Sequence, residues 1–482
     1  MFVGREKELK LLNDRLTKRS ASFVAIRGRR RIGKSKLIAE FSKEFSRKYL
    51  FTGLPPSKNK AAQKQRDEFV RQMKKQGLPA VRGEDWGDIF WVLGKACEKG
   101  PALLVLDEIA WMGSKDPDFL GKLKIAWDDY FEVNPQLVLI VASSVSSWID
   151  KNILKNTGFF GRVDLTLTLK ELPLKDCIKF WGKRERSVSP YEKLKILGVT
   201  GGVPKYLDAI DPKKTAEENI QELCFSASGL LFNEFDNIFH DLFSKRGRIY
   251  KKIVQLLANK HSLNQEEICK GINRKRGRAI SEYLRDLVTA GFLSDDHSWS
   301  LKTREISSLR KYRLSDNYLR FYLKCIEPRK MEIMQGKYEE GSLFNHMSWE
   351  SIMGLQFENL VVHNRDILLE ALRIQRDDCV FDGPYFQTQT KRKKGCQIDY
   401  LIQTKGALYI CEVKFSKTPV GRDVIEEMQK KVEALVIPRY VSYRPILIHV
   451  GGVTDEVLYR DYFDKIIDWT EFLSPSPKKG TT

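Results

Sequence analysis

The sequence predicts an α/β protein whose first domain is a doubly wound parallel sheet, and three stretches carry that expectation. The first is Gly28-Arg29-Arg30-Arg31-Ile32-Gly33-Lys34-Ser35, set between the apolar run Ser22-Phe23-Val24-Ala25-Ile26 and the helical run Leu37-Ile38-Ala39-Glu40. The second is Pro101-Ala102-Leu103-Leu104-Val105-Leu106 with Asp107-Glu108 at its end, and the third is Leu137-Val138-Leu139-Ile140-Val141-Ala142 with Ser143-Ser144 at its end. Short uninterrupted apolar runs are strands buried on both faces, the condition of a parallel sheet covered by helices. Polar groups at the C-terminal ends of such strands stand where open α/β sheets bind their ligands.

The first stretch fits the pattern Gly, any four residues, Gly-Lys-Ser. Its glycines let the backbone turn so that N–H groups converge on phosphates, and the helix that follows adds its positive end. Gly28, Arg29, Arg30, Arg31, Ile32, Gly33, Lys34, Ser35 and Lys36 are the expected nucleotide contacts, making this a P-loop NTPase domain. Lys34 is expected at the β- and γ-phosphates and Ser35 at Mg²⁺. Asp107 is expected to hold the same ion, while Glu108 orients or deprotonates the attacking water.

Composition sets the frame. The 482 residues exceed one ordinary core, and about 150 residues per domain gives three. With 42% hydrophobic and 30% charged residues, and no apolar run of about 18 residues to span a bilayer, a soluble chain with no membrane partner is expected. The opening Met1-Phe2-Val3-Gly4-Arg5-Glu6 lacks the apolar core of a signal peptide, so the expected location is cytoplasmic. The eight cysteines show no Cys-x-x-Cys pair, so neither a zinc site nor a disulfide framework is expected. The net charge of +20 favours a polyanionic partner, DNA before RNA, with basic clusters at Arg27–Arg31, Arg274-Lys275-Arg276-Gly277-Arg278 and Lys391-Arg392-Lys393-Lys394.

In chain order, a helix with Leu9, Leu11, Leu12 and Leu16 on its apolar side precedes the first strand. Tyr49-Leu50-Phe51-Thr52 reads as the second strand, a polar helix rich in Lys and Gln follows, and Asp85-Trp86 begins another helix. After Gly158-Phe159-Phe160-Gly161-Arg162, the alternation of Val163 to Leu169 gives a fifth strand.

Val3-Gly4-Arg5-Glu6 resembles the opening of AAA-type ATPases, where this entry packs near the adenine. Together with Gly28–Ser35, Leu106-Asp107-Glu108, Ser143-Ser144, Gly161-Arg162 and Gly201-Gly202-Val203-Pro204-Lys205-Tyr206-Leu207, the order of motifs resembles the archaeal-type ATPase family, AAA-like P-loop ATPases, as far as about residue 470. The resemblance implies ATP and Mg²⁺ as cofactors and a polar sensor after the third apolar run, for which Ser143 and Ser144 are both candidates. It implies Arg162 as an arginine finger or γ-phosphate sensor, acting within the chain or on a neighbouring subunit of a homo-oligomer; a structural salt bridge is the other role open to it. Ala142 stands where the family has glycine, a small departure.

The resemblance divides the chain into a P-loop ATPase domain over 1–172, a helical lid over 173–240 and a winged helix-turn-helix over 241–330. A restriction-endonuclease-like domain over 331–472 and a disordered tail over 473–482 follow. In the lid, Gly201–Leu207 opens a helix with Pro204 in its first turn. In the winged segment, helices begin near Arg248, Leu263 and Gly277, Gly291-Phe292-Leu293 enters a β-wing, and Arg274, Lys275, Arg276 and Arg278 start the recognition helix. That segment reads DNA or packs as a lid. Tyr312–Tyr322 resembles the family's link out of it, and Glu327-Pro328-Arg329-Lys330 marks a linker.

The last third carries a second constellation. Glu358 sits on the helix Gly354–Val361, Asp399 lies in Gln397-Ile398-Asp399-Tyr400-Leu401, and Glu412 and Lys414 lie in Leu408-Tyr409-Ile410-Cys411-Glu412-Val413-Lys414. Strand alternation puts Glu412 and Lys414 on one face, and a hairpin at Gly406 lets Asp399 face them. This order resembles the restriction-endonuclease-like nucleases, in which Asp399 and Glu412 would bind Mg²⁺, Lys414 would steady the hydroxide, and Glu358 would be an outer ligand. The plain alternative is a half-buried strand with an exposed Glu412–Lys414 pair.

These readings converge on an ATPase that couples nucleotide state to a DNA-binding, DNA-cleaving C-terminal region. The alternative is an ATP-dependent regulatory switch whose nuclease-like domain only binds nucleic acid or a protein.

Overall fold

The computed structural model describes residues 2–55, 62–113, 116–243, 247–337, 349–390 and 394–474. The chain divides into two compact units: Met1–Leu172 with Asn237–Gly247 and Arg285–Gly291, and Pro173–Asp236 with Arg248–Leu284 and Phe292–Thr482.

In the first unit β1 (Ser22–Arg27), β2 (Lys48–Thr52), β3 (Ala102–Asp107), β4 (Leu137–Ser143) and β5 (Val163–Thr168) form one sheet in the order β2-β3-β4-β1-β5. Every neighbouring pair is parallel. Phe23, Ala25, Leu104, Leu106, Leu139 and Val141 pack into one core, and the alternate residues Val24, Ile26, Leu103, Val105, Val138 and Ile140 into another. Both faces are therefore covered, which is why these strands read as unbroken apolar runs. Because β4 lies between β1 and β3, three adjacent strand ends bring the phosphate loop, Ser143-Ser144 and Asp107-Glu108 to one edge of the sheet.

The entry helix is smaller than its leucines predict. It runs Glu6–Asn13 and buries Leu12, while Leu11 and Leu16 are each 41% exposed. Leu9 and Leu12 share a face at three residues' separation, whereas Leu11 is rotated by about 100° from Leu12 and Leu16 falls beyond the last turn.

From Gly247 the chain forms helices Gly247–Ala258, Gln265–Gly271 and Arg278–Thr289, then the antiparallel hairpin of β6 (Leu293–Trp299) and β7 (Ile306–Leu314). The expected linker is helical instead: Glu327–Arg329 form a tight 3₁₀ turn that runs straight into the helix Lys330–Met334. Pro328 is tolerated because it occupies the first turn, where no N–H is needed.

The second unit holds a mixed sheet of β8 (Cys379–Gln387), β9 (Cys396–Thr404), β10 (Ala407–Phe415), β11 (Ser442–Val450) and β12 (Lys465–Asp468), in the order β12-β11-β10-β9-β8. The β8–β9 and β9–β10 pairs are antiparallel, whereas the β10–β11 and β11–β12 pairs are parallel. The helix Asp423–Ala434 connects β10 to β11 and packs Val424, Ile425 and Met428 against Leu408, Ile410 and Leu447. Trp299 and Leu301 of the hairpin region belong to the same core. Trp299 stacks on Phe381 with ring centroids 5.4 Å apart, and its indole N–H donates to Gln403 Oε1 at 2.8 Å. Hairpin and sheet therefore share one interior.

Lys391, Arg392, Lys393 and the tail after Ser474 lie outside the described residues. Among the described residues no helix is long and apolar enough to cross a membrane.

Candidate nucleotide site and a second carboxylate cluster

The phosphate loop leaves β1 through Gly28, whose φ of 154° and close approach to Leu169 exclude a side chain: a Cβ there would stand 2.7 Å from the Leu169 carbonyl oxygen. The loop ends at Gly33, φ 95°, the residue that caps the helix Lys34–Phe41. Arg5, itself left-handed at φ 69°, braces the loop from outside by donating to the Ile32 carbonyl at 3.1 Å and to the Lys170 carbonyl. Arg29 is buried and pairs with Glu171 at 3.1 Å. At least two of the loop's basic neighbours therefore hold the loop's shape.

Lys34 is buried, and its ammonium donates to the carbonyls of Gly28 (2.9 Å) and Arg29 (3.2 Å) and to Ser144 Oγ (2.8 Å). Burial holds it below the ordinary lysine pKa, with Glu108 and Asp107 pulling the other way. Ser144 donates its hydroxyl to Glu108 Oε1 at 2.6 Å and its backbone N–H to Oε2 at 3.0 Å, so both carboxylate oxygens are fixed. Glu108 has φ 51°, a left-handed conformation that costs a non-glycine residue about 1–3 kcal/mol. The Ser144 bonds help hold that conformation.

Ser35 donates to Asp107 Oδ2 at 2.8 Å. The hydroxyl and carboxylate oxygens brought together here are the hard donors that Mg²⁺ takes. The structure thus joins Lys34, Ser35, Asp107 and Glu108 in one place. It also separates the two serines left open by the sequence: Ser144 bridges lysine and glutamate, while the buried Ser143 accepts only the Val145 backbone N–H at 3.0 Å among its described bonds.

Arg162 is placed differently. Its guanidinium grips Asp128 through Nε (2.7 Å) and Nη2 (2.9 Å), and Lys124 joins the same carboxylate at 3.0 Å. Those bonds, Arg162's first, hold Asp128 below the usual carboxylate range.

In the second unit Asp399 on β9 and Glu412 on β10 approach each other. Asp399 Oδ2 accepts the Val413 N–H at 2.9 Å, and Lys431 from the helix Asp423–Ala434 reaches Asp399 Oδ1 at 3.5 Å and also Glu412. Lys414 pairs with Glu412 at 3.1 Å and with Glu427 at 2.6 Å. Burial, then the Glu412 charge, push the Asp399 carboxyl up to about 7. Glu358, whose charge also acts on Asp399, meets His261 Nε2 through Oε2 at 2.7 Å, and Gln397 Nε2 donates to His261 Nδ1 at 2.9 Å. Among the described residues no group of three or more His, Cys, Asp or Glu side chains is arranged to hold a metal ion. Of the three expected ligands, Asp399 and Glu412 share the Lys431 ammonium, and Glu358 is bonded to His261.

Sequence reasoning missed Lys431 and His261. Lys431 carried a signal, since with Val424 and Met428 it falls on the buried stripe of its helix at the i, i+4, i+7 spacing. His261, in the turn after Ala258, carried none.

The first unit's parallel sheet, with its phosphate loop and an acidic pair beside an inserted strand, defines a P-loop ATPase domain. Residues 2–210 match the family model described as the ATPase domain predominantly from Archaea, and the chain carries a domain of that archaeal type. An uncharacterized protein of Methanocaldococcus jannaschii is 23% identical over 457 residues, spanning 93% of this chain and 95% of that protein. The solved Walker-type ATPase of Pyrococcus abyssi is similar in fold, with a TM-score of 0.51 and 16% identity over 67% of this chain and 96% of that one.

Proposed function

We propose that the protein hydrolyses ATP with Mg²⁺ and uses the nucleotide state to control a nucleic-acid-binding C-terminal region. The observation that carries the first half is the chain Lys34–Ser144–Glu108, which fixes a cation and a base across adjacent strand ends. Glu108 takes the proton of the attacking water, and Ser144 aims its carboxylate. Lys34 leaves the Gly28 and Arg29 carbonyls for the β- and γ-phosphates, so its present bonds keep the buried ammonium satisfied until nucleotide arrives. Ser35 and Asp107 would hold Mg²⁺, which when bound neutralises phosphate charge. Phosphate release should vanish with Lys34→Ala, and Glu108→Gln should trap ATP; normal turnover by Glu108→Gln would remove it from the role of base.

The second half rests on charge. Arg274, Lys275, Arg276 and Arg278 are all exposed before and at the start of the helix Arg278–Thr289, as a DNA-reading surface requires. We assign the Asp399–Glu412 pair to a nuclease-like domain that binds rather than cuts, because Lys431 and Lys414 neutralise it. Plasmid incubated with Mg²⁺ or Mn²⁺, with and without ATP, tests this. Cleavage that disappears in Asp399→Asn would restore the cutting reading.

A further inference from the structure

The second unit contains a cleft of about 350 Å³ lined by the turn Ala258–His261, by Arg320, Lys324 and Arg329, and by the beginning of the helix Trp349–His363. The lining carries Lys260, His261, Arg320, Lys324 and Arg329 and, among the described residues, no carboxylate. His261 is bonded to Glu358, whereas the two arginines and Lys324 donate to neutral groups. Arg320 donates to the Leu314 carbonyl at 2.7 Å and to the Ala258 carbonyl at 3.4 Å, Lys324 to Asn259 Oδ1, and Arg329 to the Cys325 carbonyl at 3.2 Å.

Arg320 is the unusual member. It is only 1% exposed, and its Nε has no hydrogen-bond partner among the described residues. Burial, with the Arg313 charge adding, lowers the guanidinium to about 10. Glu358 is the carboxylate whose field favours the charged form, and it is already bonded to His261. A buried guanidinium with a spare donor, facing a cleft whose rim adds three further cations, lacks an anion.

We propose that this cleft binds the phosphate group of a phosphorylated ligand, with Arg320 as the buried anchor and Lys260, Lys324 and Arg329 around it. Guanidinium donors match phosphate oxygens in pairs, and the lysines contribute as point charges. The volume lies at the small end of ligand sites, enough for a phosphate with its attached sugar. Two sources share this chemistry: the phosphorylated end of a nucleic-acid strand, and a free phosphate compound. The proposal stands apart from ATP hydrolysis and from cutting, since it uses neither the phosphate loop nor the Asp399–Glu412 pair.

The test uses the full chain carrying Lys34→Ala, which silences the phosphate loop, in EDTA, which stops any metal-dependent cutting. Anisotropy of a short single-stranded oligonucleotide with a 5′-phosphate is compared with that of its 5′-hydroxyl counterpart, and inorganic phosphate is titrated alone by ³¹P line broadening. The phosphorylated end should bind at least about tenfold tighter, as expected for hydrogen bonds to a charged group, and Lys260→Glu and Lys324→Glu should each abolish the preference. Line broadening of inorganic phosphate that both variants abolish, without an end preference, supports the cleft with a free phosphate compound as its ligand. Binding of both probes that neither variant alters overturns the proposal. Both lysines retain solvent exposure, and unchanged melting of the variants keeps the reading free of folding defects.

Discussion

Each unit brings a helix-borne lysine to acidic residues of its sheet, and a hydroxyl stands between them in only one of the two arrangements. In the first, Ser144 stands between Lys34 and Glu108, so the charges are held near each other without neutralising each other by direct contact. In the second, Lys431 meets Glu412 and Asp399 directly, and Lys414 adds a second ammonium. On the proposed reading the spacer leaves a cation and a base available for a substrate, whereas direct pairing ties opposite charges to each other. A lysine beside a carboxylate is therefore not by itself a sign of chemistry; what stands between them decides.

The comparison breaks most sharply at Glu108. Replacing it with Gln removes the base while retaining Ser144 as a hydrogen-bond partner, and steady-state phosphate release should fall by about 10²–10⁴-fold with ATP binding retained. Next comes Lys431→Ala, which leaves two buried carboxylates facing each other. Chemical denaturation should show a loss of roughly 3 kcal/mol, and added Mg²⁺ should restore part of it in the variant but not in the wild type. Mg²⁺ stabilising both proteins equally would show that Lys431 does not occupy a cation's place.

The paired variants Ser144→Ala and Ser143→Ala sharpen the role of the spacer. Losing the Ser144 hydroxyl should lower turnover by about tenfold, the worth of a hydrogen bond to a charged group, whereas losing that of Ser143 should cost about 1 kcal/mol of stability and leave turnover unchanged. The smallest effect belongs to Arg162. A carboxyl depressed in the folded state, as Asp128 is, contributes stability above its unfolded pKa and loses it as pH falls through the folded one. Arg162→Ala should therefore flatten the acid limb of the melting-temperature profile by less than about 1 kcal/mol, since both side chains are more than a quarter exposed. A thousandfold fall in turnover would instead mark Arg162 as an arginine finger.

Much of the first unit was legible because its strands are buried on both faces and must be apolar throughout. The acidic pair and the phosphate loop then stand out as the points where apolar runs stop. The choice between Ser143 and Ser144 was not legible: consecutive residues at a strand end point to opposite sides, and sequence does not say which side faces the loop. The second site was half visible. Asp399, Glu412 and Lys414 follow from strand alternation and the hairpin, but the ammonium that bridges the two carboxylates comes from Lys431, on a helix 19 positions beyond Glu412. The histidine bonded to Glu358 was not legible, because it lies 97 positions away in the chain. The link Tyr312–Tyr322 proves to be a buried polar junction, in which Asn317 donates to the Gln356 carbonyl at 3.2 Å and Gln356 returns a bond to the Asn317 carbonyl at 2.7 Å.

Trp299 bears on how such a chain could be assembled from older parts. Its indole fills a slot among Phe381, Tyr385 and Ile398 and satisfies Gln403. A gene fusion that exchanged the C-terminal sheet for another would strand that ring in water and leave the Trp299 N–H without its acceptor. Hairpin and sheet are thus a single heritable piece, and recombination that preserves folding should fall on either side of the two together.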